Sequence, residues 1–288
     1  MQIDHIKTIG VIGAGNMGHQ IAINSAIHGF QTWCTDISAE TLDKASAFAK
    51  TYFMGRVEKG RLTQEQVDAA AARLHFTADF KTAVKDVYFV IEAAIERLKV
   101  KRELFAELSE YSPPHAILAT NSSFIVSSKI ADVTNRPDKV CNMHFFNPAL
   151  VMKIVEVVKG PHTSEETINI TMALCERMGK TPVFVRKEIY GFIVNRILGA
   201  LNKEAFFLAE NGYASYQDID IAVEGGLNHP MGPFRLMDLT GIDLAYDVDN
   251  ERYAETGNIA DKPSQLIVDK VKAKEYGRKN GKGFYVYD

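Results

Sequence analysis

The chain has 288 residues, enough for a large hydrophobic core shared between two domains. Hydrophobic residues make up 46%, charged residues 24%, and the formal net charge is −3, which excludes a strong field drawing in nucleic acid or an anionic membrane. No apolar run is long enough to cross a bilayer, and the run from Ile9 meets glycines too soon for a signal peptide. Cys34, Cys141 and Cys175 form neither a disulfide framework nor a Cys-x-x-Cys metal site, so buried thiols in a reducing cytoplasm and no metal are expected.

In chain order, Ile6–Ile12 reads as a β-branched strand ending in glycines, and Asn16–His28 as a helix stopped before Gly29. Gln31–Asp36 reads as a strand, Thr41–Lys59 as a helix and Thr63–Arg73 as a second, polar helix. Short strands follow at Val87–Ile91, Ala116–Ala119, Lys139–His144 and Val151–Val158, with helices at Leu98–Leu108 and Glu165–Met178. This βαβ alternation predicts an α/β fold with a doubly wound, mostly parallel sheet. From Gly191 the texture is helical, with helices over Phe192–Ala209, Tyr216–Val223 and Pro263–Lys274 and loops at Gly225-Gly226 and Pro230–Pro233. An N-terminal domain over 1–186, carrying a helical hairpin near 40–73, and an all-α C-terminal domain over 187–288 are expected.

Gly13-Ala14-Gly15-Asn16-Met17-Gly18 is a G-x-G-x-x-G between a strand and a helix, with Asp36 23 residues after the first glycine. This is the Rossmann fingerprint. Gly13 permits the tight turn, Gly15 lets a pyrophosphate approach the backbone, and Gly18 lets helix and strand pack. The helix N-terminus at Asn16 and Met17 favours the phosphate charge. Asp36 can accept a ribose diol and repels a 2′-phosphate, which selects NAD over NADP. Without a ligand, the same residues read as a βα turn with Asp36 capping the next helix.

In Met143-His144-Phe145-Phe146-Asn147-Pro148 a histidine leaves an apolar strand, and twelve residues later Glu156 interrupts Ile154–Val158. A dry, unpaired carboxylate there costs on the order of several kcal/mol, so a partner is expected. A hairpin centred near Leu150 puts Glu156 opposite His144, as a base and its orienter. A core histidine, with Glu156 paired to Lys153 on a wet face, is the other reading of the same residues. Lys50, Arg56, Lys59 and Arg61 make the hairpin basic, which by itself describes a solvated helix face.

The run from Thr120-Asn121-Ser122-Ser123 through His-Phe-Phe-Asn-Pro to Glu156 resembles the 3-hydroxyacyl-CoA dehydrogenase family. Gly191-Phe192-Ile193-Val194-Asn195-Arg196, Pro230-Met231-Gly232-Pro233-Phe234 and Gly281-Lys282-Gly283-Phe284-Tyr285 are similar to its C-terminal domain. The likeness is greatest to the short, single-function bacterial type. It implies NAD-dependent interconversion of (3S)-3-hydroxyacyl-CoA and 3-ketoacyl-CoA, of short chain such as 3-hydroxybutyryl-CoA and acetoacetyl-CoA. It implies His144 as acid/base, Glu156 as its partner, and Ser123 and Asn195 at the substrate oxygen. Glu96, Lys101, Ser123, Asn147 and Lys279 match cofactor-contacting positions, and Lys50, Arg56 and Lys59 fall where that family holds the CoA phosphates. Tyr52 stands at a position that is serine in the family, Glu188-Ile189-Tyr190 replaces a proline before Gly-Phe, and Arg235 stands where an acid is common. A homodimer through the helical domain is the implied assembly. Two other functions fit the scaffold: a dehydrogenase of a free hydroxy acid, and a non-catalytic NAD-binding structural protein.

Overall fold

A computed structural model describes residues 5–288; Met1–Asp4, with which the expected first domain begins, lie outside them. β1 (Thr8–Ile12) leads to α1 (Asn16–Ile27), and β2 (Gln31–Thr35) to the long α2 (Ala39–Glu58), which turns back as α3 (Gln64–Arg73). β3 (Leu74–Thr77), α4 (Phe80–Val84), β4 (Phe89–Glu92), α5 (Leu98–Tyr111), β5 (Ile117–Thr120), β6 (Val140–Phe145), β7 (Ile154–Val158), α6 (Glu165–Arg177) and β8 (Thr181–Val185) follow. The strands form one sheet in the order β3-β2-β1-β4-β5-β6-β7-β8. Neighbours run parallel except β6 and β7, which are antiparallel. The doubly wound, mostly parallel sheet expected from the sequence is the sheet observed.

Alternation along the strands assigns the core to two faces. Ile9, Val11, Phe89, Ile91, Met143 and Val157 pack in one layer with α1 and α6. Ile12, Val90, Leu118 and Val140 pack in the other with Ala83, Phe105 and Leu108. Central strands buried on both faces read as continuous apolar runs, which is why they were recognisable. β3, α4 and β8 were not foreseen. β3 starts directly where α3 ends, with no turn residue between them, and β8 carries Pro182, which an edge strand tolerates. Val151–Lys153, read as strand, belong to the turn, where the Val151 and Met152 N–H groups donate to the Pro148 carbonyl.

The second unit consists of α7 (Val194–Glu210), α8 (Tyr216–Leu227), α9 (Pro233–Thr240), α10 (Ile242–Thr256) and α11 (Gln265–Lys272). Gly225-Gly226, expected in a loop, lies in the last turn of α8, because the left-handed residue that stops the helix is Asn228, at φ 56°. Pro233 opens α9 at its first turn, where a missing N–H is harmless. α10 escaped the sequence reading because acids interrupt its apolar residues without a clean stripe. Phe206, Phe234, Ile267 and Phe284 form the core of this unit. The chain divides between Ile193 and Val194 rather than after residue 186. Residues 187–193 stay with the first unit because Glu188 and Ile193 hydrogen-bond into it.

Candidate active site

The glycine turn is built for close approach. Gly13 has φ +94°, and a Cβ there would lie 2.6 Å from the Ala93 carbonyl oxygen. A Cβ on Gly18 would fall 1.7 Å from the Gly13 carbonyl oxygen, so the α1–β1 contact admits glycine alone. A Cβ on Gly15 would meet nothing within 4 Å, so the turn presents an open face there. α2, α3, α4, α6, α8 and α11 are capped by Ser38, Thr63, Asp79, Ser164, Ser215 and Ser264. Among the described residues no side chain caps α1, and its first turn holds no acid. Its N–H groups and dipole are therefore available to an anion. Asp36 accepts the Ala14 N–H at 2.8 Å and the Ser38 N–H at 2.9 Å, which fixes its carboxylate beside the turn. Asn16 donates to the Asn147 side chain at 3.1 Å, joining two expected cofactor residues 131 positions apart. These features fit a dinucleotide.

Behind the turn lies a buried charge network. Glu92 ends β4 with no exposure and accepts from the Ala94 N–H, from Lys101 Nζ at 2.7 Å and from Thr120 Oγ1 at 2.6 Å. Lys101, itself buried, also reaches Glu96 at 3.3 Å, and Glu96 accepts the Ser122 hydroxyl. Lys101 thus acts through its neighbours, holding the loop that carries Glu96. Glu92, Thr120 and Ser122 were not foreseen as site residues. Glu92 carries the same signal as Glu156, an acid inside an apolar strand, and that signal could have found it.

The β6–β7 register places His144 opposite Glu156. His144 Nδ1 lies 2.9 Å from Glu156 Oε2, and both side chains are buried. Nε2 lies 3.0 Å from Ser123 Oγ. A carboxylate can only accept, so the network assigns the neutral-ring proton to Nδ1 and leaves an Nε2 lone pair toward the Ser123 hydroxyl. The second oxygen of Glu156 accepts the Ile193 N–H at 2.9 Å. Phe146 and Phe192 pack their rings 4.7 and 5.4 Å from the imidazole. Buried Asn142 ties Ser127 and Ile125 to β6, and Asn121 accepts the Phe145 N–H, so the Ser123 loop is bonded to the strand that carries His144. Lys180 closes the hairpin by donating to the Ala149 and Met152 carbonyls; burial lowers its pKa.

The other candidates fall elsewhere. On α2, at ~100° per residue, Phe48, Tyr52 and Arg56 share a face that Lys59 continues, whereas Lys50 lies on the far side. Phe48 packs on His19 at 4.6 Å and Arg56 lies 5.6 Å over the Tyr52 ring, so this face is the one next to the glycine turn. Asn195 lies in the first turn of α7, in the second unit. Lys279, also in that unit, is ion-paired with Asp243. Arg235 lies 4.2 Å over the Tyr285 ring and 3.8 Å from Glu224.

A fingerprint turn with an open helix N-terminus, next to a histidine backed by a buried carboxylate, defines an NAD-dependent dehydrogenase. Residues 8–189 match the model of the 3-hydroxyacyl-CoA dehydrogenase NAD-binding domain, and residues 191–287 that of its C-terminal domain. The chain belongs to the 3-hydroxyacyl-CoA dehydrogenase family. It is 39% identical to a probable 3-hydroxybutyryl-CoA dehydrogenase of Bacillus subtilis, covering 98% of each chain. It is 36% identical to a 3-hydroxybutyryl-CoA dehydrogenase of Clostridioides difficile, covering 97% of this chain and 99% of the relative. The crystal structure of (S)-3-hydroxybutyryl-CoA dehydrogenase from Ralstonia eutropha superposes with a TM-score of 0.91 at 36% identity, over 98% of this chain and 99% of that one.

Proposed function

We propose that the chain interconverts short (3S)-3-hydroxyacyl-CoA and 3-ketoacyl-CoA, such as 3-hydroxybutyryl-CoA and acetoacetyl-CoA, with His144 as the acid/base. The observation that carries this reading is the ring of His144, held at Nδ1 by Glu156 and aimed through Nε2 at Ser123. In oxidation the C3 hydroxyl gives its proton to His144 Nε2. Bound NAD supplies the acceptor for the C3 hydride. In reduction the imidazolium returns the proton to the keto oxygen, a reversal open to a ring nitrogen that can both accept and donate a proton. Glu156 holds the tautomer and stabilises the imidazolium. Ser123 orients the C3 oxygen. The roles of Asn195 toward that oxygen and of Lys279 toward the cofactor rest on the family resemblance.

The α2 face of Tyr52, Arg56 and Lys59 is the proposed CoA phosphate surface, with Lys50 outside it. The test is NADH oxidation with acetoacetyl-CoA, its pantetheine thioester and free acetoacetate. Activity on both thioesters, with a lower KM for the CoA form, is expected; activity confined to free acids would overturn the substrate class. We further propose a cytoplasmic homodimer without nucleic-acid or membrane partners. Exposed Ile197, Phe207, Ile221 and Leu227 in the second unit support the dimer, and a monomeric mass by light scattering at micromolar concentration would remove it. Among the described residues no helix is long and apolar enough to cross a membrane.

A further inference from the structure

Residues 186–193 leave β8 and end at the divide between the two units, so they read at first as a tether. Their contacts say otherwise. Glu188 Oε1 accepts the Ser127 hydroxyl at 2.7 Å and the Ser128 N–H at 2.8 Å. Tyr190 stacks on Phe124, with ring centroids 4.9 Å apart and planes at 28°. Both anchors grip one short loop, the one that begins at Ser123. The segment then turns sharply: the Phe192 N–H donates to the Ile189 carbonyl and Phe192 takes φ +46°. A bulky residue in the left-handed region persists only where its surroundings over-determine it. That turn delivers two groups to the His144 pair, the Phe192 ring on the imidazole and the Ile193 N–H on Glu156.

We infer that the strap 188–193 is a positioning element of the reaction: Glu188 and Tyr190 set the Ser123 hydroxyl on one nitrogen of His144 while Ile193 sets the carboxylate on the other. The inference rests on His144 being the acid/base. The charged Ser127–Glu188–Ser128 contact is of the stronger class of hydrogen bond, and it spans 61 and 60 positions of sequence. Losing it removes the strap's tie to the Ser123 loop, which Asn142 still holds to β6 from the other side. A misplacement of about 1 Å in a reacting centre costs up to ~10²-fold in rate. The Ile193 N–H also withdraws charge from Glu156. Without it the carboxylate holds the imidazolium proton more tightly, and the neutral base appears at higher pH.

The experiment uses the full chain with Glu188→Ala, Tyr190→Ala, the conservative Glu188→Gln and Tyr190→Phe, and His144→Gln as a reference. Each is measured for kcat and kcat/KM across pH, with active sites counted by NADH titration. Glu188→Ala and Tyr190→Ala are expected to lower kcat per NADH site by roughly 10- to 10²-fold and to move the acid limb of kcat/KM upward. Glu188→Gln keeps the acceptor and Tyr190→Phe keeps the stack, so both stay near wild type with the limb in place. An unchanged kcat and limb in both alanine variants overturns the inference. So does a loss that disappears when rates are normalised to NADH sites, since that is fold support alone. If Glu188→Ala does not fold, Tyr190→Ala carries the same decision. A fully active His144→Gln instead removes the base itself, and an inactive one beside wild-type alanine variants removes the strap alone.

Discussion

Among the described residues the first unit buries Glu92 and Glu156, and the second buries Asp220, Asp238 and Asp261. Asp261 is ion-paired with Lys203 and Arg252, and the other four are held in two different ways. In the first, Glu92 and Glu156 face titratable side chains, Lys101 and His144. In the second, Asp220 accepts the Phe234 and Arg235 N–H groups and the Tyr285 hydroxyl, and Asp238 accepts the Phe284 and Tyr285 N–H groups and the Tyr287 hydroxyl. Burial demands partners for both sets. Backbone donors can never change protonation, and the two tyrosine hydroxyls are pushed above the ordinary tyrosine range, so Asp220 and Asp238 hold shape. A histidine can change protonation, so the first set can do chemistry. The glycines of the two C-terminal motifs follow from the same demand: a Cβ on Gly232 would lie 2.3 Å from Asp220 Oδ1, and one on Gly283 2.0 Å from Asp238 Oδ1. Those motifs are distinctive because they seat buried acids.

The largest effect belongs to the titrating pair. His144→Gln is expected to lower kcat by roughly 10²–10⁴-fold, the usual loss for a positioned acid/base, with NADH affinity nearly unchanged. Glu156→Gln keeps an oxygen for the Ile193 N–H but removes the charge beside the ring. The imidazolium then loses its proton more readily, so the acid limb of kcat/KM moves to lower pH while kcat falls. Steady-state kinetics across pH with NADH titration of each variant separates the two. Near wild-type kcat in His144→Gln would dissolve the distinction between the units and return His144 to the core.

The architectural pair should fail in the opposite way. Asp238→Asn places an amide N–H₂ against donors from Tyr285 and Tyr287 or from Phe284, and each buried group left unpaired costs ~1–3 kcal/mol. Asp220→Asn does the same to Arg235 and Tyr285. Stability by denaturant titration is expected to fall by about that amount, while kcat per NADH site changes little. A variant that unfolds no more easily but loses kcat would mean that the second unit's carboxylates act in the chemistry as well. Burial, reinforced by these same bonds, holds the phenols of Tyr285 and Tyr287 above the ordinary tyrosine range.

What the sequence disclosed follows the range of the interactions. The sheet was legible because its strands are continuous apolar runs, and the His144–Glu156 pair because two strands joined by a short turn pair residues equidistant from its centre. The fingerprint was legible because one turn contains it. Glu92 needed only the argument used for Glu156, applied to Phe89–Glu92. Asn142, Lys180 and Glu188 were not legible, since their partners lie far off in sequence and follow no period. Lys50 could not be told from Lys59 by charge; only the phase of α2, fixed by Phe48 on His19, separates them.

Asp36 stands between the two kinds of carboxylate, and it gives the smallest and most discriminating test. Each of its oxygens already holds a backbone N–H, as in the second unit, yet the residue is half-buried and lies beside the open end of α1. A carboxylate oxygen has two lone pairs, so one on each oxygen is left for a ribose diol. Asp36→Ala removes both the acceptor and the charge that repels a 2′-phosphate. Asp36→Asn keeps one acceptor and removes the charge, but turns an amide toward a backbone N–H. The wild type is expected to prefer NADH over NADPH by at least about tenfold in kcat/KM, equivalent to ~1.4 kcal/mol. Asp36→Ala should lose most of that preference, by weaker use of NADH and better use of NADPH together. If NADH use falls while NADPH stays as poor as before, Asp36 serves only to brace Ala14 and Ser38, and it belongs with Asp220 and Asp238. If the wild type prefers NADPH, the charge does not select at all.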